Sequence, residues 1–168
     1  MPAKKHNKQS GFTLIELIVA VGIFGLIVSM VFGVFVFAAV SQRRIIALRN
    51  VEDNLRFAVE SMSKEMRTGK NFDAAAGSIS FTNAKSQAVI YRLNNGIIEK
   101  SSDGGASYSA ITGSETIIDY LNFYLMGQAA GDGLQPRITI TAGATSQVGN
   151  QSANLKIQTT VSERFLQS

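Results

Sequence analysis

Hydrophobic and polar positions divide this chain into three regimes. From Leu17 to Val40 every residue is apolar or glycine except Ser29. At about 1.5 Å per residue this run makes a helix of about 36 Å, enough to cross a hydrocarbon core of about 30 Å. Phe24, Phe32, Phe35 and Phe37 point around such a helix and leave no face for water. A secretory signal core is shorter, about 7–15 residues, with a small-residue cleavage site after it. The run is therefore read as a membrane span. Past Val40 the pattern becomes amphipathic: Leu48, Val51, Leu55, Ala58, Val59, Met62 and Met66 recur at three- and four-residue steps, with charge between them. No proline interrupts residues 12–68, and Gly69 is a good stop. The expectation is one continuous helix of about 57 residues and roughly 85 Å.

The third regime reads as strands. Runs rich in β-branched and aromatic residues fall at 78–82, 88–93, 96–99, 116–125, 137–141 and 155–162. Turn signals separate them at Asn94-Asn95-Gly96, Asp103-Gly104-Gly105, Gly131-Asp132-Gly133 and Gly149-Asn150. The first is the strongest hairpin signal, since both turn residues must tolerate positive φ. The Gly/Ser/Asn-rich stretch 142–153 reads as a mobile loop between two strands. An antiparallel sheet of four to six strands over the amphipathic half-helix would bury both apolar surfaces, an α+β architecture.

Charge changes this picture little. The net +4 includes Lys4, Lys5 and Lys8, and residues 43–100 carry ten Lys/Arg against six Asp/Glu while 101–168 carry three against five. This gradient lacks the concentrated basic stripe of a nucleic-acid surface, so no nucleic-acid partner is expected. Lys and Arg number three before the apolar run and four after it (Arg43, Arg44, Arg49, Arg56), which leaves the positive-inside rule near a tie. With no cysteine and one histidine, His6, a thiolate nucleophile, a Ser-His-Asp set and an imidazole metal site are excluded from the chain after residue 6. The carboxylate pairs Glu115 with Asp119 and Asp103 with Asp132 read as solvated turn and strand-end charge. Asp103 and Asp132 lie in Gly-rich turns that could hold calcium, but no loop spacing supports it. No cofactor, metal or enzymatic activity is expected. Tyr91, Tyr108, Tyr120 and Tyr124 read as strand packing first and as a binding surface second.

One residue resists a purely architectural reading. Glu16 stands near the start of the apolar helix, and a charge at the helix centre costs about 2.5–3.5 kcal/mol on insertion scales. The helix N-terminus and the interface make it tolerable there without explaining its presence.

The segment Gly11-Phe12-Thr13-Leu14-Ile15-Glu16, preceded by Lys4, Lys5 and Lys8 and followed by the apolar run, resembles the processing site of type IV pilins and pseudopilins. The resemblance implies a leader, residues 1–11, removed by a prepilin peptidase/methyltransferase that cuts after Gly11 and methylates Phe12. It further implies a transmembrane and filament-core half-helix at 12–40, an amphipathic half-helix at 41–69 and a β-rich globular head at 70–168, the pilin fold. Glu16 would be fifth in the mature chain and meet the Phe12 amino group of a neighbouring subunit. Implied partners are other pilin or pseudopilin subunits, the inner-membrane assembly platform, and membrane lipid before assembly. The leader must face a cytoplasmic peptidase, so the chain would be single-pass in the cytoplasmic membrane with its N-terminus inside, then part of an extracytoplasmic filament. Gly22, Gly25 and Gly33 serve either close helix packing or a softened segment; many major pilins have proline where this chain has Gly33. The missing C-terminal cysteine pair and the stretch Asn54–Arg67 look more like minor pilins and J-type pseudopilins. Two functions follow: a structural subunit of a type IV pilus or type II secretion pseudopilus, or a membrane-anchored extracytoplasmic binding domain that does not polymerise.

Overall fold

A computed structural model of the chain describes residues 11–127 and 135–164. The elements are one helix, α1 (Leu14–Met66), and eight strands: β1 (Lys70–Ala75), β2 (Ser78–Thr82), β3 (Ala88–Asn94), β4 (Ile97–Ser101), β5 (Ser109–Ala110), β6 (Thr116–Met126), β7 (Arg137–Val148) and β8 (Gln151–Ser162). The helix is packed on antiparallel β-sheets, an α+β arrangement consistent with a pilin fold. By internal packing the chain separates into two compact units, Met1–Ser41 and Gln42–Ser168.

In the first unit the helix buries nothing of its own. Its large side chains from Leu14 to Val40 are exposed, Phe37 by 75% and Phe35 by 70%. In the second unit, Ala47, Val51, Leu55, Ala58, Val59, Met62 and Met66 form one buried stripe. It is the face the three- and four-residue periodicity marks out, with Ala47 replacing Leu48, which is exposed. The stripe joins Phe72, Phe81, Tyr91 and Ile98 from one sheet and Leu121, Ile138, Ile140 and Val161 from the other in a single apolar cluster.

The strands form two sheets where one was expected. The first has the order β1-β2-β3-β4-β5 and the second β6-β7-β8. Asn95 and Gly96, with φ of 48° and 77°, close the β3–β4 hairpin, as the turn chemistry anticipates. Two strands lie outside the sequence reading. β1 contains Asn71 and Asp73, poor strand formers, and is held by pairing with β2 and by Phe72 packing on Phe81 at a ring separation of 5.3 Å. β5 has only two residues.

Residues 142–153 are not a loop. β7 and β8 run through them in unbroken register from Arg137↔Ser162 to Val148↔Gln151, turning at Gly149-Asn150. The small side chains that suggest mobility are packing choices: Ala142 and Ala144 are fully buried, and a Cβ on Gly143 would run into the Tyr120 ring. β6 carries a bulge between Ile118 and Tyr120. Asp119 is the extra residue, so Ile118 before it and Leu121 and Phe123 after it all face the core. The Gly131-Asp132-Gly133 turn lies outside the described residues.

A polar bridge ties α1 to the first sheet. Glu65 accepts hydrogen bonds from Lys100 Nζ at 2.8 Å and from the Tyr91 hydroxyl. Burial pushes the Glu65 carboxyl up, but the bonds from Lys100 and Tyr91 outweigh it and hold the group below the ordinary value of 4.5. Burial first and the Glu65 carboxylate second push the Tyr91 phenol above its ordinary 10.0.

Two outcomes follow. Leu55→Ala empties a fully buried position and should lower unfolding free energy by about 2–5 kcal/mol, read by urea denaturation of the detergent-solubilised chain. A depressed carboxyl stabilises the fold above its ordinary pKa, and the contribution fades as pH falls through the folded value. The raised phenol contributes below pH 10.0 and fades as pH rises past it. The thermal midpoint should therefore decline on acidification below about pH 4.5, and Glu65→Gln should flatten that acid limb; an unchanged limb in the variant would assign it to other carboxylates.

Candidate functional site

Thr13 starts α1. Its carbonyl accepts the Leu17 N–H at 3.2 Å and its Oγ1 accepts the Glu16 N–H at 3.3 Å, an N-cap that satisfies one of the orphan amides of the first turn. Thr-Leu-Ile-Glu has the spacing of a capping box, a signal legible in the sequence itself. Glu16 is thereby fixed in the first turn, close to the partial positive charge of the helix end. Its carboxylate makes no hydrogen bond or ion pair to any described residue of this chain. Gly11 and Phe12 precede the cap in exposed, non-helical chain; Phe12 is 81% exposed, and nothing lies within 4 Å of a Cβ built on Gly11. The structure thus brings Gly11, Phe12 and Glu16 into one short, accessible segment. Lys4, Lys5 and Lys8 lie outside the described residues.

Farther along, Gly22, Gly25 and Gly33 keep full helical geometry, with open space around each. Ser29 falls between Gly25 and Gly33 at four-residue steps, and its hydroxyl bonds back to the Leu26 carbonyl at 2.8 Å. With Gly22 these residues make one small-residue face, which lets another helix approach closely in lipid. Ser29 was legible only as an interruption of the apolar run, not as part of this face.

The other polar groups raised by the sequence are engaged locally. Asp103 accepts hydrogen bonds from the Ser101 and Ser107 hydroxyls and the Ser107 N–H, which hold its carboxyl well below the usual carboxylate range. Glu115 accepts from Asn54 on α1 at 2.9 Å, a bond that lowers its pKa, and Asp119 accepts from Thr145 at 2.9 Å. Asp132 is outside the described residues, and among the described residues no group of three or more His, Asp or Glu converges to hold a metal. Tyr91 is core; Tyr108 lies under the Arg92 guanidinium at 3.4 Å, an ion itself paired with Glu99 at 2.8 Å; Tyr124 is 55% exposed.

α1 is long and apolar enough to cross a membrane. No curated protein and no solved structure matches the chain. Residues 6–32 match the family model described as the prokaryotic N-terminal methylation motif. That motif belongs to proteins that are structural, not catalytic; it implies peptidase processing and assembly with other pilin subunits, and together with the apolar helix it supports membrane anchoring. The methylation motif, with the capped acidic first turn and the apolar helix behind it, supports a type IV pilin- or pseudopilin-like prepilin segment in the N-terminal part of this chain.

Proposed function

We propose that the chain is a structural subunit of a type IV pilus or type II secretion pseudopilus, cleaved after Gly11, methylated on Phe12 and assembled through α1. The observation that carries this reading is the Glu16 carboxylate, without a partner among the described residues, in a helix that buries none of its own side chains before Ala47. Both features describe a surface built to be covered by other helices. In a filament, the Phe12 ammonium of a neighbouring subunit neutralises Glu16 in a medium of low dielectric. There an unpaired charge is costly, so the pair acts against wrong register more than it adds net stability. The Gly22–Gly25–Ser29–Gly33 face allows helices to approach closely. Before assembly the same helix sits in the cytoplasmic membrane with its N-terminus inside, and residues 70–168 form the extracytoplasmic head. The cysteine-free β7–β8 hairpin, continuous over twelve residue pairs, serves where a disulfide-closed loop would otherwise hold the C-terminal region. This favours a minor pilin or J-type pseudopilin over a major pilin.

Intact mass and N-terminal sequencing, with and without a co-expressed prepilin peptidase, test the processing step. The expected mature chain begins at Phe12 and carries one added methyl group. A leader retained beside a correctly cut control prepilin would shift the assignment to a membrane-anchored binding domain. Glu16→Ala is expected to insert and be cleaved normally, yet to be depleted at least tenfold from the sheared filament fraction. Wild-type incorporation of that variant would remove Glu16 from the assembly step.

A further inference from the structure

Arg43 and Arg44 follow Val40, the last residue of the apolar run, by three and four positions on α1. Four residues of helix rise about 6 Å, comparable to the headgroup layer of about 5–8 Å on each side of a hydrocarbon core. Neither arginine is ion-paired with any described residue. Arg44 and Leu48 of α1 and Ser152, Ala153 and Asn154 at the start of β8 line a cleft of about 200 Å³. Arg43 leans the same way, its guanidinium lying over the β7–β8 turn, where a Cβ added to Gly149 would come 3.2 Å from Nη1.

The surrounding charge is of one sign. Residues 41–51 contain Arg43, Arg44 and Arg49 and no acid; residues 137–162, which span β7 and β8, contain Arg137 and Lys156 and no acid. The cleft itself offers a guanidinium, a hydroxyl and a carboxamide, donors matched to phosphate oxygens, beside the aliphatic wall of Leu48. A soluble anion would use the donors and gain nothing from Leu48, 45% exposed. A lipid brings both a phosphodiester and apolar chain.

Resting on the membrane-anchored reading above, we propose that this cleft is a headgroup site: Arg44, with Ser152 and Asn154, binds the phosphodiester of an anionic phospholipid, and Arg43 adds a second positive charge at the rim. Bound lipid would hold the N-terminal end of β8 at the bilayer surface while the subunit awaits extraction. Leaving the bilayer would then require release of that headgroup as well as withdrawal of the apolar helix.

The test uses the full chain, isotope-labelled, in nanodiscs of phosphatidylcholine alone, of phosphatidylcholine with phosphatidylglycerol, and of phosphatidylcholine with added inorganic phosphate. Phosphatidylglycerol should move the Ser152–Asn154 amide resonances and the Asn154 side-chain amide in a saturable manner. Arg44→Gln should weaken that dependence about fivefold, as expected for one basic group near an anionic surface. Lys85→Gln, an equal charge loss at the exposed β2–β3 turn, should leave it unchanged. An unaltered spectrum elsewhere shows that Arg44→Gln folds. Failure of the chain to enter nanodiscs would overturn the anchored reading itself. Insertion with no response to phosphatidylglycerol, equal losses in both variants, or the same shifts from inorganic phosphate in neutral discs would each overturn the lipid site.

Discussion

The structure depends on one stripe of α1. Six side chains between Val51 and Met66 supply the apolar surface on which both sheets close. A helix has one such stripe at a time, so committing it to the head leaves the opposite side of the same turns to solvent or to partners. Before Ala47 no side chain of the helix is buried at all. The chain therefore contains one surface satisfied internally and another that requires lipid or other helices.

This division accounts for where the polar groups stand. Several of those beside the satisfied surface are paired: Glu65 with Lys100 and Tyr91, Asn54 with Glu115 and the Gly113 N–H, Thr116 with the Asn50 carbonyl. Each bridges α1 to a strand or to the approach to one, and fixes the rotation of the helix over the sheets more narrowly than apolar contact would. Glu16, on the unsatisfied surface, has no such partner. Its placement beside an N-cap gives it the favourable end of the helix dipole and a defined position. Among the described residues its charge is unanswered, which on the proposed reading leaves it for an intermolecular contact.

Much of this was legible in the sequence because it rests on periodicity. The membrane-length run, the buried face from Val51 to Met66 and the strand 78–82 follow from repeats of 3.6 and 2.0, which sterics impose locally. The Asn95-Gly96 turn was legible because few residues adopt its dihedrals. What escaped was set by long-range contact. β1 exists because β2 and Phe81 accept it, despite Asn71 and Asp73. The stretch 142–153 imitates a loop because packing under α1 and beneath Tyr120 selected alanine and glycine. The split into two sheets leaves no local trace, since a strand run looks the same whichever neighbour it joins. The candidate site was legible in its glycine, its acid and the apolar run. Thr13 carries a local signal too, its capping-box spacing with Glu16, whereas Ser29 is unremarkable until the helix puts it on a face.

The bulge at Asp119 has a consequence for the lengths that β6 can adopt. Ile118 pairs with Ala144 and Tyr120 with Gly143, so Asp119 alone has no place in the ladder. Excising it would join two stretches already in phase, with Ile118 inward, Tyr120 outward and Leu121 inward. Removing Asn122 instead would turn either Leu121 or the pair Phe123 and Leu125 toward water. The strand thus has a single point at which one residue can be gained or lost without inverting a face, and elsewhere its length is as constrained as its composition.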